Sequence, residues 1–208
     1  MKKLLFLVGI TAAMATGAPA RGQYIYMDVY GDGVCSSSDI LTSSVTTVDI
    51  YLDTNHDAAG REVTCSDGTN PLNIGSYSLL FEVLDKQGSA QLTGWTNGMS
   101  GYTEVSSFTV AGRRAGVGFT GSEFLPPGRY KLGHLSVVVT GVPSLFFLSQ
   151  DADPGIPTPV TGFGSQCDAS AYPNTVTLGV DFSDNCNVYA SFDAVEATTW
   201  GKIKQVYR

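Results

Sequence analysis

The sequence predicts an all-β chain folded as one sandwich, and three observations lead there. Gly 24 and Pro 9 against only 15% charged residues describe a chain broken often by turns. Short runs rich in β-branched and aromatic residues alternate apolar with polar positions, as at 45–53, where Val48, Ile50 and Leu52 interleave with Asp49, Tyr51 and Asp53. A hydrophobic content of 43% is enough to fill a core, and 208 residues suit a single large sandwich domain.

At the start, Lys2-Lys3 precede an apolar run over 4–13 and the small-x-small site Ala18-Pro19-Ala20. This predicts a signal peptide at 1–20 and a mature β-sandwich domain at 21–208, secreted to the cell surface, the medium or the periplasm. The apolar run is shorter than the ~20 residues that cross a bilayer as a helix, so no membrane insertion is expected. Losing Lys2 and Lys3 makes the chain more acidic than its formal −7, which excludes nucleic acid bound through a phosphate-neutralising patch.

The first strand expected is YIYMDV at 24–29, leading into DVYGDGVCSSSD at 28–39. Here oxygen-bearing side chains stand at loop positions 1, 5, 9 and 12 (Asp28, Asp32, Ser36, Asp39) with Gly33 at position 6, and the Val34 carbonyl supplies a backbone ligand. That order is how EF-hand-type loops wrap a hard cation, so Ca2+ is the expected cofactor. Tyr30 occupies position 3, where a ligand belongs, so weak affinity follows. The bland reading of the same residues is an acidic, glycine-rich turn. Serines ahead of Ile40-Leu41 predict a single short helical turn.

After the 45–53 strand, Asp53, Asn55 and Asp57 with Glu62 downstream form a second acidic group. It is either another cation site or a solvated hairpin end, with His56 an exposed loop residue. Next come an inner strand at 76–85, apolar on both faces, a Gln87-Gly88 turn, and a strand toward Trp95. Short strands at 108–110 and 115–119 follow, the second with glycine alternating on its other face. The turn at 125–128 feeds a long strand with a kink or bulge at Gly133, then SLFFLS at 144–149. The proline-rich stretch 151–160 reads as an extended surface connection. Two further strand patterns lie at 176–182 and 188–192, and a short amphipathic helix is expected at 199–208, with Trp200, Ile203 and Val206 on one face.

Four cysteines in an exported chain (Cys35, Cys65, Cys167, Cys186) predict two disulfides. Of the three connectivities, the two local loops Cys35–Cys65 and Cys167–Cys186 are favoured, each worth roughly 3 to 4 kcal/mol on the chain-entropy account.

VDIYLDTN, SYSLLFEVL, the trailing WTN and LPPGRYKLGHLSVVVTG together resemble the cohesin-type β-sandwich of secreted bacterial proteins over 45–148. The loop at 28–41 resembles a single dockerin calcium loop. A full dockerin carries two such loops, each followed by a helix. The resemblance implies a jelly-roll-like sandwich with short N- and C-terminal helical segments, extracellular display, and assembly with another secreted or cell-surface protein. No catalytic residue is expected: a G-x-S-x-G elbow is absent, and neither His56 nor His134 sits in a catalytic signature. The alternative is a carbohydrate-binding module of a polysaccharide-degrading system, using Tyr24, Tyr26, Tyr30, Tyr51, Trp95, Tyr102 and Tyr130. Its mark is a flat row of exposed rings, whereas protein assembly calls for an apolar, uncharged sheet face.

Overall fold

The computed structural model describes residues 23–36, 38–57, 60–65, 72–148, 155–158 and 160–166, and among these seven β-strands carry the regular structure. They are β1 (Tyr24–Asp28), β2 (Thr47–Asp53), β3 (Ile74–Asn97), β4 (Tyr102–Ala111), β5 (Arg114–Leu125), β6 (Arg129–Phe147) and β7 (Gly162–Gly164). All pairings are antiparallel, in the order β1-β2-β6-β3-β5-β4, with β7 on the free flank of β3.

The expected turn at Gln87-Gly88 is not there. β3 runs through it as one strand of 24 residues, and β6 follows it from Asn97↔Gly133 to Phe81↔Phe147. The pair nevertheless folds over. Tyr77 and Asn97 lie 20 residues apart on β3, a span of roughly 66 Å if extended, yet the Tyr77 hydroxyl sits 2.8 Å from Asn97 Oδ1. A register shift between Leu84 and Gln87 and the facing glycines Gly88↔Gly141 make the corner. A Cβ on Gly88 would stand 2.1 Å from the Thr140 carbonyl, and Gly141 holds φ +69°, so both backbones approach as only glycine allows.

Folding β3 on itself stacks β1, β2 and the lower parts of β6 and β3 over β4, β5, β7 and the start of β3. The core lies between. Its members come from both layers: Ile25, Met27, Val48, Ile50 and Leu52 from the first, Tyr77, Leu79, Phe81, Val117 and Phe163 from the second. The alternation of β2 is as expected, with Val48, Ile50 and Leu52 buried and their polar neighbours on the outer face. The bulge expected at Gly133 is present, since Ile50 pairs Gly133 while Tyr51 pairs Lys131.

Two other expectations are corrected. No α-helix occurs among the described residues, so the short turn after Ser36 does not become one. The Asp39 carboxylate accepts the amides of Val29 and Ser36, which ties the segment backwards, and Leu41 drops into the core. Nor is the whole proline-rich stretch on the surface. Ile156 and Thr158 are buried across β5, where a Cβ on Gly116 would meet Ile156 Cγ2 at 2.5 Å. The glycines of GVGFTG leave room for this strap. It is held by Ser106 Oγ to Thr158 Oγ1 at 2.6 Å and by the Leu80 amide donating to Thr161 Oγ1 at 2.8 Å. The signal peptide, the strand patterns at 176–182 and 188–192 and the helix at 199–208 lie outside the described residues.

Candidate functional site

The acidic loop leaves β1 on its outer face, because Asp28 follows Tyr24 and Tyr26 at period two. Asp28 is buried, and Oδ1 accepts the amides of Tyr30 at 3.0 Å and Gly31 at 2.7 Å, while Oδ2 accepts that of Gly33 at 2.6 Å. Gly31 and Gly33 hold φ of 72° and 74°, the left-handed geometry that turns successive amides toward one anion. Asp39 clamps the far end, Oδ1 accepting from Val29 and Oδ2 from Ser36. Asp32 turns outward onto the Val34 amide at 2.8 Å, and Ser36 Oγ pairs with Ser38 Oγ. Of the expected ligands, Asp28 and Asp39 therefore converge on adjoining backbone, whereas Asp32, Val34 and Ser36 sit toward solvent. Tyr30 is 65% exposed and points away from the loop's interior. No group of three or more His, Cys, Asp and Glu side chains is arranged to hold a metal among the described residues.

The floor of the loop went unseen in the sequence. Tyr24, Tyr26 and Tyr51 stack in a row with centroids 4.9 and 5.3 Å apart, and the Arg129 guanidinium lies 5.3 and 5.2 Å from the Tyr26 and Tyr51 rings. The Tyr26 hydroxyl donates to the Gly33 carbonyl at 2.8 Å, and a Cβ on Gly33 would stand 3.2 Å from an Arg129 nitrogen. Burial pushes the Tyr26 phenol well above its usual range. Lys131 bonds Asp49, which raises the pKa of its ammonium. Arg129 and Lys131 arrive from β6, some 80 residues beyond β2, and only the β2–β6 register brings them here.

The second acidic group is closed by its own basic neighbours. Asp53 Oδ1 accepts the amides of Asn55 and His56 and faces His56 Nδ1 at 3.1 Å. Asp57 accepts the Arg61 amide on Oδ1 and the Arg61 Nε on Oδ2 at 2.7 Å. Glu62 is exposed and bridges backbone with His56. Asn55 Oδ1 is buried with no hydrogen-bond partner among the described residues. The sequence signal that separates a closed turn from a ligand set is the pair of basic side chains, His56 at i+3 of Asp53 and Arg61 at i+4 of Asp57.

Apart from Tyr30, most of the aromatic candidates pack rather than project. Tyr26 is sealed under the loop, Trp95 packs against Tyr77 and Phe81, and Tyr102 donates to the Ile74 carbonyl at 2.7 Å. Tyr130 is half-buried and bonds the Pro126 carbonyl. His134 is a half-buried β6 residue opposite Asp49 and Thr96. Beyond Tyr30, what projects is apolar. Val105 and Val110 on the edge strand β4 and Phe124 on β5 are 66%, 45% and 49% exposed, on strands whose neighbouring residues are mostly Ser, Thr and Gly.

Fold and site together define an antiparallel β-sandwich with an amide-lined acidic loop on one layer and an open, weakly charged edge on the other. Two solved structures are similar to it. The second type II cohesin module of the cellulosomal adaptor ScaA scaffoldin of Acetivibrio cellulolyticus shares 10% identity at a TM-score of 0.40, covering 83% of this chain and 99% of its own. A structure of the second type II cohesin module of ScaA that includes a long C-terminal linker shares 9% at 0.33, covering 67% and 78%. At these scores the likeness is one of outline. No family model and no curated protein matches the chain. No helix among the described residues is long and apolar enough to cross a membrane.

Proposed function

We propose that the chain is a non-catalytic, secreted module that joins another extracellular protein through its β4–β5 layer. The observation that carries this reading is the edge strand YTEVSSFTVA, which has a free flank, a single charge at Glu104, and Val105 and Val110 turned to solvent. Such an edge is a template for strand addition, in which main-chain bonds supply affinity and aliphatic side chains fill matching pockets. The packed rings of Tyr26, Trp95 and Tyr102 favour it over glycan binding, which needs those faces free.

Calcium in the first loop belongs to the same proposal and rests on the donor set. Asp28 Oδ2 and each Asp39 oxygen retain one lone pair beyond their amide bonds. A cation held there needs Asp32 to leave the Val34 amide, with Ser36 and the Val34 carbonyl assisting. Affinity on the order of 10⁻⁴ to 10⁻³ M is expected.

The test is capture from the producing cell's own secreted fraction, using wild-type protein and a V105D/V110D variant. The reading expects a retained protein that the variant loses while its melting temperature is unchanged. Equal capture by both overturns it. Calorimetric titration to about 10 mM calcium, roughly ten times the weak end of that range, tests the loop: no heat and no change in unfolding temperature remove the metal.

A further inference from the structure

Of the asparagines in the chain, Asn97 alone is followed by glycine. That neighbour leaves an asparagine side chain most open to attack, because no Cβ hinders the backbone nitrogen that must reach its Cγ. Asn97 is the half-buried last residue of β3 and Gly98 is exposed, so burial alone does not protect the pair. Hydrogen bonds hold the reactants apart instead. The Asn97 amide offers two donor protons and an oxygen with two lone pairs, and all four places are taken. Nδ2 donates to the Met99 carbonyl at 3.0 Å and to the Tyr102 carbonyl at 3.2 Å, while Oδ1 accepts the Met99 amide at 2.9 Å and lies 2.8 Å from the Tyr77 hydroxyl. The attacking group is engaged as well. The Gly98 N–H donates at 2.8 Å to the Leu132 carbonyl, which the Tyr77 hydroxyl also approaches, at 3.1 Å.

We propose that Asn97 is a deamidation site which the clasp around Tyr77 holds shut, and that the product, once formed, keeps the clasp from closing again. When the clasp opens, the Gly98 nitrogen gives its proton to hydroxide and bonds to Asn97 Cγ. The Cγ–Nδ2 bond breaks, and Nδ2 leaves as ammonia after taking a proton from water. A second water adds to one carbonyl of the cyclic imide and reopens it as aspartate, or to the other carbonyl and reopens it as isoaspartate. Either product sets a carboxylate against the Met99 and Tyr102 carbonyls, acceptor against acceptor where two donor protons stood. Isoaspartate also lengthens the main chain by one methylene at the end of β3. Tyr102 is the first residue of β4, so the loss reaches the anchor of that edge strand.

The full protein is kept in mildly alkaline buffer in three forms: native wild type, native Tyr77→Phe, and wild type unfolded in guanidinium chloride. Samples are digested at acidic pH, and the peptide containing Asn97 is followed by mass spectrometry for conversion of amide to acid. Native wild type is expected to convert about a hundredfold more slowly than the unfolded chain, because the clasp must open first. Tyr77→Phe is expected to convert about fivefold faster than native wild type, the worth of one net hydrogen bond. Equal rates in native and unfolded wild type, or in the two native proteins, overturn the proposal. Asn97→Asp carries its second half: a lower urea midpoint or a loss of folded protein is expected, and an unchanged midpoint overturns the claim that the product holds the clasp open.

Discussion

Replacing Tyr77 with Phe removes the hydroxyl that closes β3 on itself, and the cost follows from what its acceptors do afterwards. The hydroxyl lies 2.8 Å from Asn97 Oδ1 and 3.1 Å from the Leu132 carbonyl, and its single proton serves one of them at a time. Asn97 Oδ1 also accepts the Met99 amide at 2.9 Å, and the Leu132 carbonyl also accepts the Gly98 amide at 2.8 Å. Tyr77→Phe therefore orphans no buried acceptor, and its cost is that of one net hydrogen bond, about 1 kcal/mol. Asn97→Ala is different. It strips a partner from the Met99 amide and from the Met99 and Tyr102 carbonyls at once, and about 3 kcal/mol is expected. For a domain of this size these correspond to falls of roughly 2–4 °C and 6–12 °C in melting temperature. Urea unfolding followed by tryptophan fluorescence reads both, because Trp95 packs 6.5 Å from the Tyr77 ring. A Tyr77→Phe variant as unstable as Asn97→Ala would refute the shared-acceptor argument, and a neutral Asn97→Ala would show that the clasp contributes nothing.

Gly88→Ala places a Cβ against backbone atoms of Thr140 and Val142 that cannot swing aside, so a loss of about 3 kcal/mol or more, or failure to accumulate soluble protein, is expected. Gly60→Ala has φ +72° but open space, and should cost only about 1 kcal/mol in the same urea assay. Burial pushes the Tyr102 phenol up to about 12 and raises Tyr77 further, so above the ordinary phenol value the unfolded chain ionises while the folded one resists. The urea midpoint should therefore hold steady to about pH 9 and fall as pH rises beyond about 10, less steeply in Tyr77→Phe; a flat profile to pH 12 contradicts the burial.

How far the sequence could be read depended on the distance between partners. Strand β2 was legible because its alternation is local, and so was the Gly133 bulge, where glycine interrupts a β-pattern. Gly88 carries the same kind of signal, yet β3 continues through it. Glycine marks a tight place without saying whether the chain reverses there or two backbones merely crowd, and the answer lay in Gly141, 53 residues on. The acidic loop was found from its spacing, while its floor of Tyr51, Arg129 and Lys131 was hidden in the pairing of β2 with β6. Likewise, the apolar Ile156 sits among prolines that indicate solvent; the complementary signal was the glycine run of β5 that receives it.

The strand order carries a consequence for how the chain becomes a protein. β6 lies between β2 and β3, so Thr47 finds its partner at Ser136 only after almost all of the described sequence has been made. Until then the β1–β2 hairpin must keep Ile25, Met27, Val48 and Ile50 out of water without a layer to cover them, and a lone hairpin is marginal. The β4–β5 hairpin, joined by Gly112 and Arg113, can form early on its own, but the closing step waits for contacts of long sequence separation. Such topologies reach the native state slowly, in milliseconds to seconds. A polypeptide of this design spends its vulnerable interval with its N-terminal third exposed, and its yield on overproduction will be governed by how quickly β6 arrives rather than by how stable the finished sandwich is.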